Sequence, residues 1–116
     1  MREPGIAWWP GKIKGGEVCH ALAATMDLFT TSLKLAGAEM PTDRVIDGID
    51  IRRLLFGTGQ AGRNAYFYYR GTRLFAVRQG EFKAHYFTQF GYGQPKPDAR
   101  DPTLLFDLGS DPGGVL

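Results

Sequence analysis

Few residues in this chain have the type and spacing for chemistry. Lys83-Ala84-His85-Tyr86-Phe87-Thr88 contains one of the two histidines in the 116-residue sequence. An extended chain alternates its side chains, so Lys83, His85 and Phe87 share one face and Ala84, Tyr86 and Thr88 the other. A cation and an imidazole on one face suit an anionic ligand such as sulfate, phosphate or carboxylate. A solvated Lys83 beside a hydrogen-bonded structural His85 fits the same pattern, because one strand is not a constellation.

The other reactive residue types lead less far. Cys19-His20 is adjacent in sequence, and neighbours on a helix point about 100° apart, which does not suit a nucleophile and its base. With no second Cys/His cluster, zinc is not indicated. Cys19 is expected as a small, partly buried residue at a helix start. Trp8-Trp9 is either a sugar platform or core packing beside a strand, and packing is favoured. Arg2-Glu3 is a site pair or a surface ion pair. Arg52-Arg53 reads as a solvated helix face, and Lys12 and Lys14 as loop residues. Asp107 and Asp111 fall where turns use aspartate for local hydrogen bonds. The sequence has no glycine-rich phosphate loop, carboxylate cluster or nucleophile motif.

The elements that must position these residues form a small antiparallel sheet. Its expected strands are Ala65–Arg70, Arg73–Arg78, Phe82–Phe87 and, after a Gly/Pro-rich loop at Phe90–Pro102, Thr103–Leu108. Gly71-Thr72 and Gln79-Gly80-Glu81 are hairpin connections, each with a glycine available for positive φ. Upstream, Gly5–Trp9 reads as a buried strand ending at Pro10. Cys19–Ala36 reads as a helix, with Leu22, Met26, Phe29, Leu33 and Ala36 on one buried face and Gly37 at its end. Thr30-Thr31-Ser32 is its expected weak point. Asp50 is placed to cap a short helix, Ile51–Phe56.

Composition sets the limits. A length of 116 residues allows at most one domain, and 43% hydrophobic with 22% charged residues is ordinary for a globular chain. A net charge of +2 gives no ground for nucleic acid or lipid as a partner. The single cysteine excludes an internal disulfide. The N-terminus lacks a signal-peptide pattern, and no apolar stretch approaches the roughly 20 residues needed to span a bilayer. On these grounds alone the chain is a small α+β unit without a complete active site.

Several strings then align with a known family. Met1-Arg2-Glu3-Pro4, Trp8-Trp9-Pro10-Gly11, Met26-Asp27-Leu28-Phe29-Thr30-Thr31-Ser32-Leu33, Leu35-Ala36-Gly37, Ile46-Asp47-Gly48, Phe67-Tyr68-Tyr69-Arg70-Gly71, Lys83-Ala84-His85 and Leu108-Gly109-Ser110-Asp111-Pro112-Gly113 resemble, in order and spacing, the C-terminal part of the type I sulfatases. The likeness covers nearly the whole chain and breaks at Gly91–Asp101. It implies an alkaline phosphatase-like α/β fold. Residues 1–57 would be the end of the main domain, with Gly5–Trp9 a strand of its large sheet and Cys19–Ala36 a covering helix. Residues 58–116 would be a C-terminal subdomain with a small four-stranded antiparallel sheet.

The resemblance also implies hydrolysis of sulfate esters, of the galactosamine-6-sulfate glycosaminoglycan type or of aryl sulfates. The family uses a formylglycine, made from the cysteine of a Cys-x-Pro/Ala-x-Arg string, and a calcium ion. Cys19 is followed by His20-Ala21-Leu22-Ala23 and is not that cysteine. The family's calcium ligands and sulfate-clamping lysines precede the region that Met1 matches, so the chain looks truncated at both ends and inactive alone. His85, and less strongly Lys83, carry over as substrate-binding residues; no catalytic or metal-binding residue does. Family members are commonly lysosomal, secreted or periplasmic. The alternatives are a stand-alone module binding sulfated glycans, or a truncated product with no function of its own. The Gly5–Trp9 strand and the Leu22/Met26/Phe29/Leu33 face would lack a covering layer, which predicts self-association.

Overall fold

The computed structural model describes residues 3–59, 62–89, 91 and 96–113. They fall into two compact units, Glu3–Arg63 and Asn64 onward. The order of elements is α+β as expected, with helices first and a four-stranded antiparallel sheet after them.

In the first unit, helix α1 spans Met26–Ala36 and the short helix α2 spans Arg52–Leu55. Helix α1 starts well after Cys19. Its start is fixed by a reciprocal pair: the Asp27 N–H donates to the Ala24 carbonyl at 2.9 Å, and the Ala24 N–H donates to Asp27 Oδ2 at 2.7 Å. With its N–H engaged by a side chain three residues on, Ala24 sits at a boundary and not inside a helix. Cys19 is therefore exposed and outside the helix. Gly37, at φ 69°, closes the other end as expected, and the Ala38 N–H reaches back to the Leu33 carbonyl at 2.9 Å.

The buried face of α1 is the reverse of the expected one. Asp27, Thr30 and Thr31 are buried, while Met26, Leu28, Phe29 and Leu35 are exposed. Segment 46–51 runs along the polar side, and the expected weak point is what holds it. Thr30 Oγ1 donates to the Gly48 carbonyl at 2.9 Å, and Thr31 Oγ1 accepts the Ile51 N–H at 3.1 Å. The approach is close: a Cβ on Gly48 would lie 2.3 Å from the Met26 carbonyl oxygen. Asp50 accepts the Arg52 N–H at 3.0 Å, but the N-cap position of α2 is Ile51, one residue later than expected, and it makes no side-chain cap bond. Asp50 also pairs with the Arg52 guanidinium at 2.7 Å, so Arg52 is not simply solvated, whereas Arg53 is exposed.

Gly5–Trp9 forms no strand. Among the described residues no segment pairs with it, and a strand's backbone groups need a ladder partner or water. Trp8 is 84% exposed, which corrects the expectation of core packing, and the Trp9 ring meets the Phe56 ring at a centroid distance of 6.2 Å.

In the second unit, strands β1 (Ala65–Arg70), β2 (Arg73–Gln79), β3 (Phe82–Thr88) and β4 (Asp98–Asp107) form a meander in the order β1-β2-β3-β4. Gly71 and Gly80 take φ of 59° and 57° in the two hairpins, a conformation L side chains rarely adopt. Strand β4 begins earlier than expected, inside the Gly/Pro-rich stretch Phe90–Pro102 expected as a loop. Asp98 and Ala99 pair with Thr88 and Phe87, and pairing resumes from Leu104, opposite His85. Pro102 falls between the two paired segments of this edge strand, where a missing N–H costs no ladder bond. Asp107 and Asp111 serve turns as expected, accepting the N–H groups of Gly109 and Gly113 at 2.9 and 3.1 Å.

Candidate anion-binding face of the sheet

Residues directly opposite one another in an antiparallel ladder share a face. One row across the sheet is Tyr66, Arg78, Lys83 and Phe106, and the next is Tyr68, Ala76, His85 and Leu104. Lys83 and His85 therefore lie on one face, as the alternation of β3 predicts, and two tyrosines and a second cation join them.

Contacts fix these side chains. Lys83 Nζ lies 4.4 Å from the centroid of the Tyr68 ring, over its electron-rich face. Tyr68 meets Tyr66 edge to face, with centroids 4.8 Å apart. The His85 ring stands edge-on to Phe106 at 5.4 Å. Arg78 Nε donates to the Gly80 carbonyl at 3.1 Å, which anchors the guanidinium beside the hairpin. Among the described residues no ion pair engages Lys83 or Arg78.

The electrostatics follow from this crowding. Burial lowers the Lys83 pKa, and the Arg78 charge opposite lowers it further. Burial also lowers the His85 pKa, with the Lys83 charge adding to it. His85 is therefore a neutral imidazole near pH 7, able to donate one hydrogen bond and accept another. Burial raises the Tyr68 pKa, which keeps its phenol protonated as a donor. The face offers an anion two cations and several hydrogen-bond donors. It offers no nucleophile.

Sequence reasoning missed Arg78, Tyr66 and Tyr68. The signal was present in the hairpin: a two-residue connection at Gly80-Glu81 sets Gln79 opposite Phe82 and hence Arg78 opposite Lys83. Cys19 and His20 are both exposed and build no site. Among the described residues no group of three or more His, Cys, Asp or Glu side chains could hold a metal ion. The described residues thus present no site for the calcium of the sulfatases, Cys19 lies outside a formylglycine string, and no chemical step through either group is derived. No helix among the described residues is long and apolar enough to cross a membrane.

Comparison with known proteins agrees with this architecture. Residues 61–114, which contain the whole sheet, match the family described as the C-terminal region of aryl-sulfatase. Nearly the whole chain is similar to the C-terminal part of sulfatases. More particularly, it is 46% identical to N-acetylgalactosamine-6-sulfatase of Canis lupus familiaris, over 97% of this chain and 25% of that protein. It is 41% identical to human arylsulfatase A, over the same shares of each. Among solved structures, the PsFucS1 sulfatase from Pseudoalteromonas sp. superposes with a TM-score of 0.82 at 28% identity, covering 94% of this chain and 24% of that one. The chain spans about a quarter of the length of the curated relatives it matches.

Proposed function

We propose that this chain is the substrate-side, C-terminal part of a sulfate-ester hydrolase acting on a galactosamine-6-sulfate type glycan or an aryl sulfate. In this reading residues 58–116 are the C-terminal antiparallel-sheet subdomain, and residues 1–57 are the end of the main α/β domain. The observation that carries this reading is the Arg78–Lys83–His85 cluster: in a chain similar to the C-terminal part of sulfatases, cations without a carboxylate partner among the described residues gather on one face of the matched region. Lys83 and Arg78 attract the sulfated end of the ligand, neutral His85 hydrogen-bonds to it, and Tyr68 packs beside it. In the full family a formylglycine and a calcium ion would supply the nucleophile and charge stabilisation, and no residue of this chain is assigned to hold either.

Alone, the chain does not turn over sulfate esters, since Cys19 stands outside any formylglycine string. The assay is release of 4-nitrocatechol from its sulfate, with calcium present; turnover above blank sinks the claim. A second reading, a stand-alone module for sulfated glycans, is favoured by one fact: the whole cluster lies within a single compact unit. Calorimetric titration with chondroitin-6-sulfate separates the two. Binding that His85→Ala weakens supports a module that works without a catalytic part, and no heat at millimolar ligand removes it.

A further inference from the structure

Lys83 stands apart from the other lysines of the chain. Lys12, Lys14, Lys34 and Lys96 are exposed, and Lys14 pairs with Glu17 at 2.5 Å. Lys83 is half-buried in the sheet, with Arg78 directly opposite on β2 and Phe106 opposite on β4. Like charges set directly opposite each other cost stability. No Asp or Glu occurs in β1, β2 or β3 to balance them. Glu81, in the hairpin, turns towards Gly109, where an added Cβ would lie 3.0 Å from its Oε2.

Opposing influences set the state of this amine. The Tyr68 ring beneath Nζ, at 4.4 Å, attracts an ammonium and resists loss of its proton. Burial and the Arg78 charge act the other way and prevail, so Lys83 gives up its proton more readily than an ordinary lysine. Desolvation beside another cation is an arrangement that makes a lysine amine nucleophilic. Arg78 is anchored through Nε to the Gly80 carbonyl, and among the described residues no ion pair engages its terminal amino groups. A guanidinium held by one edge still offers a planar pair of donors, which match two oxygens of a phosphate. Neutral His85 stands two residues along the same face, about 7 Å at the ordinary strand rise. It can take up a proton and return it.

We propose that Lys83 is a covalent modification site, its amine forming a reversible imine with a phosphorylated aldehyde whose phosphate Arg78 holds. The amine nitrogen attacks the carbonyl carbon, and the C=O π pair moves to oxygen. Both amine hydrogens end on that oxygen, which leaves as water, and a C=N bond remains. His85 carries the proton from nitrogen to the departing hydroxyl. The step needs no oxidant or reductant. It does not rest on the sulfate-ester reading, although an imine on Lys83 removes a cation which that reading uses.

The test treats the whole chain with pyridoxal 5′-phosphate, reduces the imines with borohydride and maps the labelled lysines by mass spectrometry. Lys83 is expected to be labelled several-fold faster than Lys12, Lys14, Lys34 or Lys96. That preference should shrink several-fold with pyridoxal, which lacks the phosphate. Arg78→Gln should remove it and Arg78→Lys restore part of it, with circular dichroism checking that the sheet persists. His85→Gln should slow the reaction without changing its final extent. Uniform labelling of the lysines in the unmodified chain overturns the site. A preference that survives unchanged with pyridoxal, or in folded Arg78→Gln, overturns the role given to the phosphate. Calorimetry with galactose-6-sulfate reads the earlier proposal separately. Sulfate binding together with uniform labelling removes the imine site and leaves the function proposed above standing. Preferred labelling of Lys83 in a chain that binds no sulfated ligand leaves the imine site and removes Lys83 from that function.

Discussion

The Asp27 carboxylate takes hydrogen bonds from the Ala24 and Ile49 amides and from Arg63, and solvent reaches none of it. Burial alone would raise its pKa; the Arg63 hydrogen bond and the two amides more than offset that, so the net shift is downward. An acid shifted this way stabilises the fold above its unfolded value, near 3.8, and that contribution is lost as pH falls through the lower folded value. Asp27→Ala leaves Arg63 and two amides without this acceptor and is expected to cost about 3–5 kcal/mol, read as a lower denaturant midpoint. His85 gives a second prediction at this scale. Its pKa lies below the usual 6.5, and an anion bound beside it favours the protonated form. Affinity for a sulfated ligand should therefore rise as pH falls below the ordinary imidazole range, and His85→Gln should abolish that rise in a calorimetric pH series.

At the level of elements, α1 and the segment beside it hold together through polar groups. Thr31→Val removes the acceptor of the Ile51 N–H and is expected to destabilise by about 1–3 kcal/mol in chemical unfolding. Gly48→Ala places a methyl against the Met26 carbonyl and Thr30 Oγ1, both backbone-anchored neighbours, and should cost about 3 kcal/mol. If Gly48→Ala proves as stable as the parent, segment 46–51 does not lie where described. The hairpins of the sheet were legible in the sequence because glycine spacing and aromatic alternation act locally. The start of β4 was not, because its pairing with β3 is set by a distant strand and skips Pro102.

Across the whole molecule, apolar side chains stand in solvent on both units. On the sheet, Phe67 is 55% and Leu105 67% exposed, on the face opposite to Lys83; on α1, Leu28, Phe29 and Leu35 are exposed. Apolar patches of this kind bind dyes or other apolar surfaces. The chain is expected to enhance ANS fluorescence and to sediment with a concentration-dependent mass, and a monomer without dye binding would contradict this. In the first unit the core is small, with Ile51 its buried apolar residue among those described. Marginal stability follows, because little apolar area offsets the ordering of the chain.

The sequence by itself determined the first three strands of the sheet and their hairpins, the placement of Lys83 and His85 on one face, the end of α1 at Gly37, and the likeness to the sulfatases. Each of these rests on period, glycine position or a run of matched strings, all properties of neighbouring residues. Only the tertiary structure decided that Arg78, Tyr66 and Tyr68 join Lys83 and His85, and that Arg70 faces Arg73. It alone turned the polar side of α1 inward and left Gly5–Trp9 unpaired. These outcomes depend on which segments meet across the fold, and apolar periodicity does not record a burial driven by hydrogen bonds from Asp27, Thr30 and Thr31.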